Sequence, residues 1–258
     1  MIAPGAMKVR CAVNGSWRLN GGLTIEPSGV VTATGGDLEI GSSFNPVHGF
    51  SSAGTLSVGS STVRVLDADA SAAGTVTMEG GHIFANGLTF SPGGGLSGFG
   101  GLSTPVTINP GVVVSPSGSG LMFNGPVVCA GGEFTGTRVL FAAGGDFSGH
   151  GLVTCKVESE EEASINASET LVLGSNSVGG AVILNGSLHV GSARVELRSD
   201  TAARLGVRTT IEGGTLLGPE DNPRSVTEFG FPPTTRTVFD AVPIELGGVR
   251  CAERLWCH

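Results

Sequence analysis

The chain has 258 residues, of which 40% are hydrophobic, and its mean hydropathy is +0.24, so it is long and apolar enough to bury a substantial core. Its formal net charge of -8 argues against a nucleic-acid partner, because binding phosphates needs a basic surface. The sequence has no apolar run of the roughly eighteen residues that a membrane helix requires, so we predict no transmembrane segment.

The N-terminal residues 1–10 lack the basic flank and apolar core of a secretory signal. A strand-like pattern is already established by residue 20. Either the protein stays inside the cell or the chain is a fragment or a mature form of a longer protein, and the early start of the pattern favours the second.

A short phrase of alternating apolar residues followed by Gly-Ser recurs along the chain. Its copies are Leu38-x-Ile40-Gly41-Ser42, Leu56-x-Val58-Gly59-Ser60, Leu171-x-Leu173-Gly174-Ser175 and Leu188-x-Val190-Gly191-Ser192. Within each half of the chain the second copy follows the first after about 18 residues, a spacing typical of one turn of a stacked β-structure. Apolar and polar residues alternate in each copy, which predicts strands with one buried side.

A longer echo encloses this phrase. Gly54-Thr-Leu-Ser-Val-Gly-Ser-Ser-Thr-Val-Arg-Val aligns without a gap onto Gly186-Ser-Leu-His-Val-Gly-Ser-Ala-Arg-Val-Glu-Leu, about half the chain further on. The echo predicts two related halves, with a junction near 158–168. The acidic run Glu158-Ser-Glu160-Glu161-Glu162 lies there and predicts a solvated loop.

Glycine marks the expected turns. Five Asn-Gly dipeptides, at 14–15, 20–21, 86–87, 124–125 and 185–186, indicate turns with positive φ. The Gly-rich stretch that begins at Ser91 is interpreted as a turn as well. Because Asn-Gly also joins antiparallel strands, an antiparallel sandwich is an alternative fold.

The regular spacing favours an all-β fold, a single-stranded parallel β-helix or solenoid, over residues 1–218. Its coils would hold thin layers of Val, Ile and Leu. Residues 219–258 are expected to form a cap or a short irregular tail, because five prolines interrupt the pattern there.

Asp67 and Asp69 are the candidate catalytic residues. Two carboxylates on one side of a strand could act as acid and base on a sugar or hold a calcium ion. The matching positions in the second copy of the echo are Ser199 and Thr201. That copy therefore lacks the pair, which favours a polar turn.

The five cysteines show no familiar framework spacing, and Cys129 is expected to be a small buried hydrophobe. Cys251 and Cys257 with His258 are ligand types for a metal, but no partner cluster accompanies them. We therefore expect no metal site and no cofactor.

The stretch Gly54-Thr-Leu-Ser-Val-Gly-Ser-Ser-Thr-Val-Arg-Val-Leu-Asp, continued by Gly74-Thr-Val-Thr and Gly95-Leu-Ser-Gly-Phe-Gly, resembles the Gly-rich β-solenoid segments of bacterial surface and secreted proteins. These include autotransporter passengers and haemagglutinin-like repeat proteins. The resemblance covers most of residues 20–215 and rests on repeat style. It implies secretion, a right-handed parallel β-helix and a role in adhesion or surface scaffolding, and it offers no catalytic residue to transfer.

These observations together predict a non-catalytic structural or adhesive module of a secreted or cell-surface repeat protein. Glycans or other cell-surface components are the expected partners, and the expected location is extracellular or on the cell surface. A carbohydrate-active β-helix enzyme, a polysaccharide lyase or a glycosidase, is the alternative. A further alternative is a segment of a phage-type fibre, for which trimerisation in solution would be evidence.

Overall fold

The computed structural model describes residues 7–41, 49–66, 70–177, 179–199, 203–205, 208–212, 214–217, 238–240, 244–246 and 249–251. Strands joined by turns and short irregular segments account for these residues, and no helix occurs among them that could cross a membrane. The strands are β1 (Met7–Val9), β2 (Ala12–Leu19), β3 (Leu23–Ile25), β4 (Val30–Ile40), β5 (Phe50–Ser52), β6 (Thr55–Gly59), β7 (Thr62–Val65), β8 (Ala70–Ala72), β9 (Thr75–Ala85), β10 (Leu88–Phe90), β11 (Gly95–Ser103), β12 (Val106–Ile108), β13 (Val113–Phe123), β14 (Val127–Phe134), β15 (Arg138–Phe141), β16 (Phe147–Val153), β17 (Lys156–Ser159), β18 (Ser164–Ser175), β19 (Val182–Leu184), β20 (Ser187–Gly191), β21 (Arg194–Ser199), β22 (Arg204–Leu205), β23 (Arg208–Glu212), β24 (Thr215–Leu217), β25 (Val238–Asp240), β26 (Ile244–Leu246) and β27 (Val249–Cys251).

The chain winds through three stacks of parallel strands. The first stack contains β1, β3, β5, β8, β10, β12, the first parts of β14, β16 and β18, then β20, β23 and β25. The second contains the first parts of β2, β4, β9, β11 and β13, the last parts of β14, β16 and β18, and β6, β21, β24 and β26. The third contains the last parts of β2, β4, β9, β11 and β13, with β7, β15, β17, β19 and β22.

The register of the first stack defines the turns. Its successive partners are Met7, Leu23, Phe50, Ala70, Leu88, Val106, Val127, Phe147, Ile165, Leu188 and Thr209. The shortest turn runs from Met7 to Leu23 and the longest from Leu23 to Phe50. At ~4.8 Å per step, the ten steps span on the order of 50 Å. The predicted parallel solenoid is confirmed and the antiparallel sandwich is wrong, since only β26 and β27 pair antiparallel among the described strands.

Alternation along each strand places one apolar side chain after another inside the coil. Strands such as β3, β6 and β10 alternate buried and partly exposed positions, as their sequences predict. The interior also contains large aromatic rings that the expected Val, Ile and Leu layers omit. Phe123, Phe134, Phe141 and Phe147 are all fully buried, and their ring centroids lie 5.4 to 6.3 Å apart.

The repeated phrase forms strands as predicted, but its copies lie in different stacks. Leu38 belongs to the third stack, Leu56 to the second and Leu188 to the first. In the longer echo, β6 and β7 lie in the second and third stacks, whereas β20 and β21 lie in the first and second. The echo therefore records a shared strand pattern rather than the same position in a turn.

Glycine serves close backbone approach as well as positive-φ conformations. Of the five Asn-Gly glycines, only Gly15 has a positive φ, so that expectation is wrong for the other four. At Gly186, by contrast, a Cβ would lie 1.8 Å from the carbonyl oxygen of Ala163 in the preceding turn. The Gly-rich stretch from Ser91 is also strand for the most part, because β11 begins at Gly95.

Within the predicted tail 219–258, the structure describes only β25, β26 and β27. β25 adds to β23 and β26 adds to β24, so both continue existing stacks in parallel. β27 pairs antiparallel with β26 and occupies its second edge. A covered edge cannot template pairing with another chain.

We expect Gly149→Ala to destabilise the fold strongly. Gly149 has φ +128°, and a Cβ there would lie 1.8 Å from the carbonyl oxygen of Cys129. We expect a loss of about 3 kcal/mol or more in the free energy of unfolding, from backbone strain combined with the steric clash. Gly111→Ala is the matched control, because Gly111 also has a positive φ (+77°) but no atom within 4 Å of its added Cβ. It should cost only about 1–2 kcal/mol. Equal losses in urea unfolding followed by circular dichroism would contradict the role of close approach.

Phe141→Ala should also destabilise the chain, by about 3–5 kcal/mol, because it leaves a cavity between the rings of Phe123 and Phe147. The control is Val128→Ala in the first stack, where the side chain is 47% exposed and the loss should stay within about 0.5 kcal/mol. Urea unfolding of both variants measures the difference. A small loss for Phe141→Ala would show that the aromatic cluster does not hold these turns together.

Candidate functional site

The candidate residues from the sequence are not all described by the structure. Asp67 and Asp69 lie outside the described residues, as do Cys257 and His258, and of Cys251 only the backbone is described. The described His, Cys, Asp and Glu residues contain no group of three that could hold a metal ion. The register of the stacks brings other polar side chains together on the outside of the coil.

A row of small hydroxyl side chains runs along the outside of the second stack. Strand pairing places these residues directly above one another, one in each turn: Thr32, Ser57, Thr77, Ser97 and Ser115. The row continues to Thr135, whose hydroxyl lies 3.3 Å from that of Ser115. We call Thr32, Ser57, Thr77, Ser97, Ser115 and Thr135 the hydroxyl row. Each of these side chains is partly exposed.

A second, shorter row lies beside the hydroxyl row, where the second-stack parts of β9, β11 and β13 end. Glu79 and Phe99 are register partners, and Ser117 follows Pro116, the partner of Gly98. This second row and the part of the hydroxyl row formed by Thr77, Ser97 and Ser115 line an open groove of about 640 Å³ that extends over three turns. A groove of this size lies within the range of small-ligand sites. Glu79 is the one charged residue among the described residues that line it.

Two glycines hold the ring of Phe99 in this groove. A Cβ on Gly80 would lie 3.2 Å from Cε2 of the ring, and a Cβ on Gly118 would lie 3.2 Å from Cδ1. The ring therefore packs between Gly80 and Gly118, which lie in the turns on either side of it. The ring is only partly buried, whereas the Phe residues of the interior are fully buried.

A second polar cluster lies on the outside of the third stack. The guanidinium carbon of Arg64 lies 4.5 Å from the centroid of the Phe84 ring, and His82 stacks on the same ring at 4.6 Å. Nε2 of His82 lies 2.9 Å from the hydroxyl oxygen of Ser103. Desolvation and the nearby Arg64 charge lower the pKa of His82, which favours the neutral imidazole.

The third stack also contains an ion-pair cluster. Arg138 and Lys156 are register partners, and both contact the carboxylate of Glu158, with 2.6 Å between Nζ of Lys156 and Oε1. Partial burial raises the pKa of Glu158, but the hydrogen bond from Lys156 and the charge of Arg138 outweigh it, so the pKa lies below its ordinary value. The predicted solvated loop begins only at Glu160, because Glu158 and Ser159 belong to β17, whereas Glu160, Glu161 and Glu162 are exposed.

The buried thiols are not nucleophiles. Cys129 and Cys155 are each 1% exposed, which confirms the predicted burial of Cys129, and Cys11 is exposed. Burial raises the pKa of Cys155 to about 12, so the thiol stays protonated near neutral pH.

The sequence contained a signal for the hydroxyl row that the interpretation missed. Thr55-Leu-Ser57 and Thr75-Val-Thr77 place hydroxyls at the polar positions of the alternating pattern. The same alternation that predicted the buried residues therefore also predicts an outward hydroxyl on successive strands. Glu79, Phe99 and Ser117 gave no such signal, because only the register brings them together.

The fold defines the class of this protein: it is a parallel β-solenoid with three strands per turn. No family model, curated protein or solved structure matches the chain significantly.

We expect Glu158→Gln to destabilise the protein by about 1 kcal/mol at pH 7, since it removes the carboxylate that Arg138 and Lys156 share. A carboxyl whose pKa is lowered on folding stabilises the fold above its unfolded pKa, and that contribution disappears as the pH falls through the folded pKa. The difference between wild type and variant should therefore be largest near neutral pH and shrink below about pH 4.5.

Urea unfolding at a series of pH values measures this difference. Glu161→Gln is the control, because Glu161 is exposed in the loop between β17 and β18, and its effect should stay within about 0.5 kcal/mol. A difference between wild type and Glu158→Gln that does not change with pH would contradict the ionic origin of the stabilisation.

Proposed function

We propose that this protein is a non-catalytic structural and adhesive module of a secreted or cell-surface repeat protein, with glycans as its partners. The observation that carries the proposal is the parallel backbone ladder, which continues from β1 to β24 in the described residues, with the hydroxyl row on the outside of the second stack from Thr32 to Thr135. Each turn is hydrogen-bonded to the next and encloses one continuous apolar core. Such a ladder makes a stiff spacer.

The hydroxyl row supports the adhesive part of this proposal. Serine and threonine hydroxyls both donate and accept hydrogen bonds, as sugar hydroxyls do. Their spacing of ~4.8 Å along the stack presents the same chemistry once per turn. A repeating polymer can therefore contact several turns at once, which raises its affinity above that of a single contact.

Immobilised neutral and acidic polysaccharides provide the test. We expect the full chain to bind at least one neutral polysaccharide and to leave its length unchanged after prolonged incubation, as measured by surface binding and by an assay for new reducing ends. New reducing ends or unsaturated products would instead support the carbohydrate-active enzyme, and Asp67→Ala and Asp69→Ala would then be the first variants to examine. Absence of binding to every polymer would contradict the adhesive role.

A further inference from the structure

We propose that Ser103 is a nucleophile toward activated acyl donors, with His82 as its general base, so that the chain accepts an acyl group from a thioester or an aryl ester. Both residues lie on the outside of the third stack, whereas the hydroxyl row lies on the second. A single transfer to the chain itself gives a modified protein rather than a catalyst. The inference therefore goes beyond the proposed adhesive function and does not depend on it.

The register brings the two side chains together across successive turns. Ser103 in β11 is the partner of Phe84 in β9, and Gly101 is the partner of His82. Because Gly101 has no side chain, the imidazole lies over it, and a Cβ there would lie 2.4 Å from Cε1 of His82. From this position Nε2 of His82 lies 2.9 Å from the hydroxyl oxygen of Ser103.

Asn124 sets the direction of this hydrogen bond. Its Nδ2 lies 3.3 Å from Oγ of Ser103 and donates to that oxygen. The hydroxyl has one proton of its own, and an amide N–H cannot accept it. Among the described residues, Nε2 of His82 is the acceptor that lies against the Ser103 hydroxyl. The imidazole therefore carries its proton on Nδ1 and receives the serine proton at Nε2, as in the activation of a hydroxyl by a base.

The surroundings keep the imidazole in the form that accepts a proton. Desolvation and the charge of Arg64 lower the pKa of His82. Arg64 and His82 both pack on the ring of Phe84, which holds the two groups close together. The Asp37 carboxylate lies 4.0 Å from Nε of Arg64 and does not reverse this effect. The base is therefore available near neutral pH.

The acyl transfer balances with these groups alone. Oγ of Ser103 attacks the acyl carbon while its proton passes to Nε2 of His82, so an ester bond forms and the bond from the acyl carbon to the leaving thiolate or aryl oxide breaks. The imidazolium then returns the proton to the leaving group. Ser103 and His82 are both partly exposed, so a small donor reaches them. A thiolate or an aryl oxide leaves readily, which is why the assigned donors are activated esters rather than amides.

Acetylation by 4-nitrophenyl acetate tests the proposal. The full wild-type chain is incubated with the ester near neutral pH, and acetylation of each peptide is followed by mass spectrometry. We expect Ser103 to be acetylated at least about tenfold faster than Ser115, whose hydroxyl lies 3.3 Å from that of Thr135 rather than against an imidazole. Ser103→Ala should remove this label, and His82→Gln should slow acetylation of Ser103 at least about tenfold.

Two further measurements separate a general base from a merely structural histidine. The acetylation rate of Ser103 should rise with pH and reach half its plateau below the ordinary histidine value of 6.5, because the neutral imidazole is the active form. Gly101→Ala should also slow acetylation, because the added Cβ displaces the imidazole while both reacting residues remain in the chain.

His150→Gln is the matched control. His150 also lies beside a serine, with 3.4 Å between its Nδ1 and Oγ of Ser168, but it is remote from Ser103 in the register. In this variant Ser103 should be acetylated as in the wild type. Urea unfolding of each variant separates a loss of reactivity from a loss of folding.

Each outcome decides one part of the proposal. Acetylation of Ser103 no faster than that of Ser115 would overturn Ser103 as a nucleophile. A Ser103 rate that His82→Gln leaves unchanged, or one without the expected rise with pH, would overturn His82 as its base. The polysaccharide experiment measures binding to other surfaces of the chain, so the adhesive function stands or fails separately.

Discussion

The hydrogen-bonded step between successive turns is the constraint on which the rest of this structure depends. Parallel strands pair only when their backbones lie ~4.8 Å apart, and the chain must meet this distance at corners as well as along strands. Where a corner brings two backbones into contact, a side chain does not fit. At Gly98 a Cβ would lie 1.8 Å from the carbonyl oxygen of Met78, and at Gly136 it would lie 2.1 Å from that of Pro116. The high glycine content follows from this geometry.

The same step determines what lies inside and outside the coil. Each strand contributes alternate side chains to the interior, so the core is a column of layers rather than a sphere. The Phe residues of β13 to β16 contact one another from turn to turn, which links neighbouring layers directly. Outside the coil, identical polar types repeat at the same interval and form the hydroxyl row. A stable interior and a repetitive surface are thus two results of one backbone register.

Alternation in the sequence was sufficient to predict the strands, because a period of two depends only on neighbouring residues, and the regular spacing of the repeated phrase predicted the class of fold. Leu56 and Val58, and later Leu188 and Val190, are buried as predicted. The length of a turn was harder to infer, since the number of residues between successive strands varies along the chain. Regular spacing between the phrases therefore did not place them in one stack. Glycine was misread for the same reason, since its role in close approach involves residues of the neighbouring turn.

The groove shows why the candidate site could not be predicted from local patterns. Glu79, Phe99 and Ser117 lie in three successive turns, and they become neighbours only through the pairing of β9, β11 and β13. β11 shifts register after Phe99 relative to β9, so the strand bends at the point where this ring lies. A one-residue slip in the register of β11 would place Phe99 on the opposite side of the strand. The position of the site therefore depends on the length of each turn, and turn length is difficult to infer from the sequence.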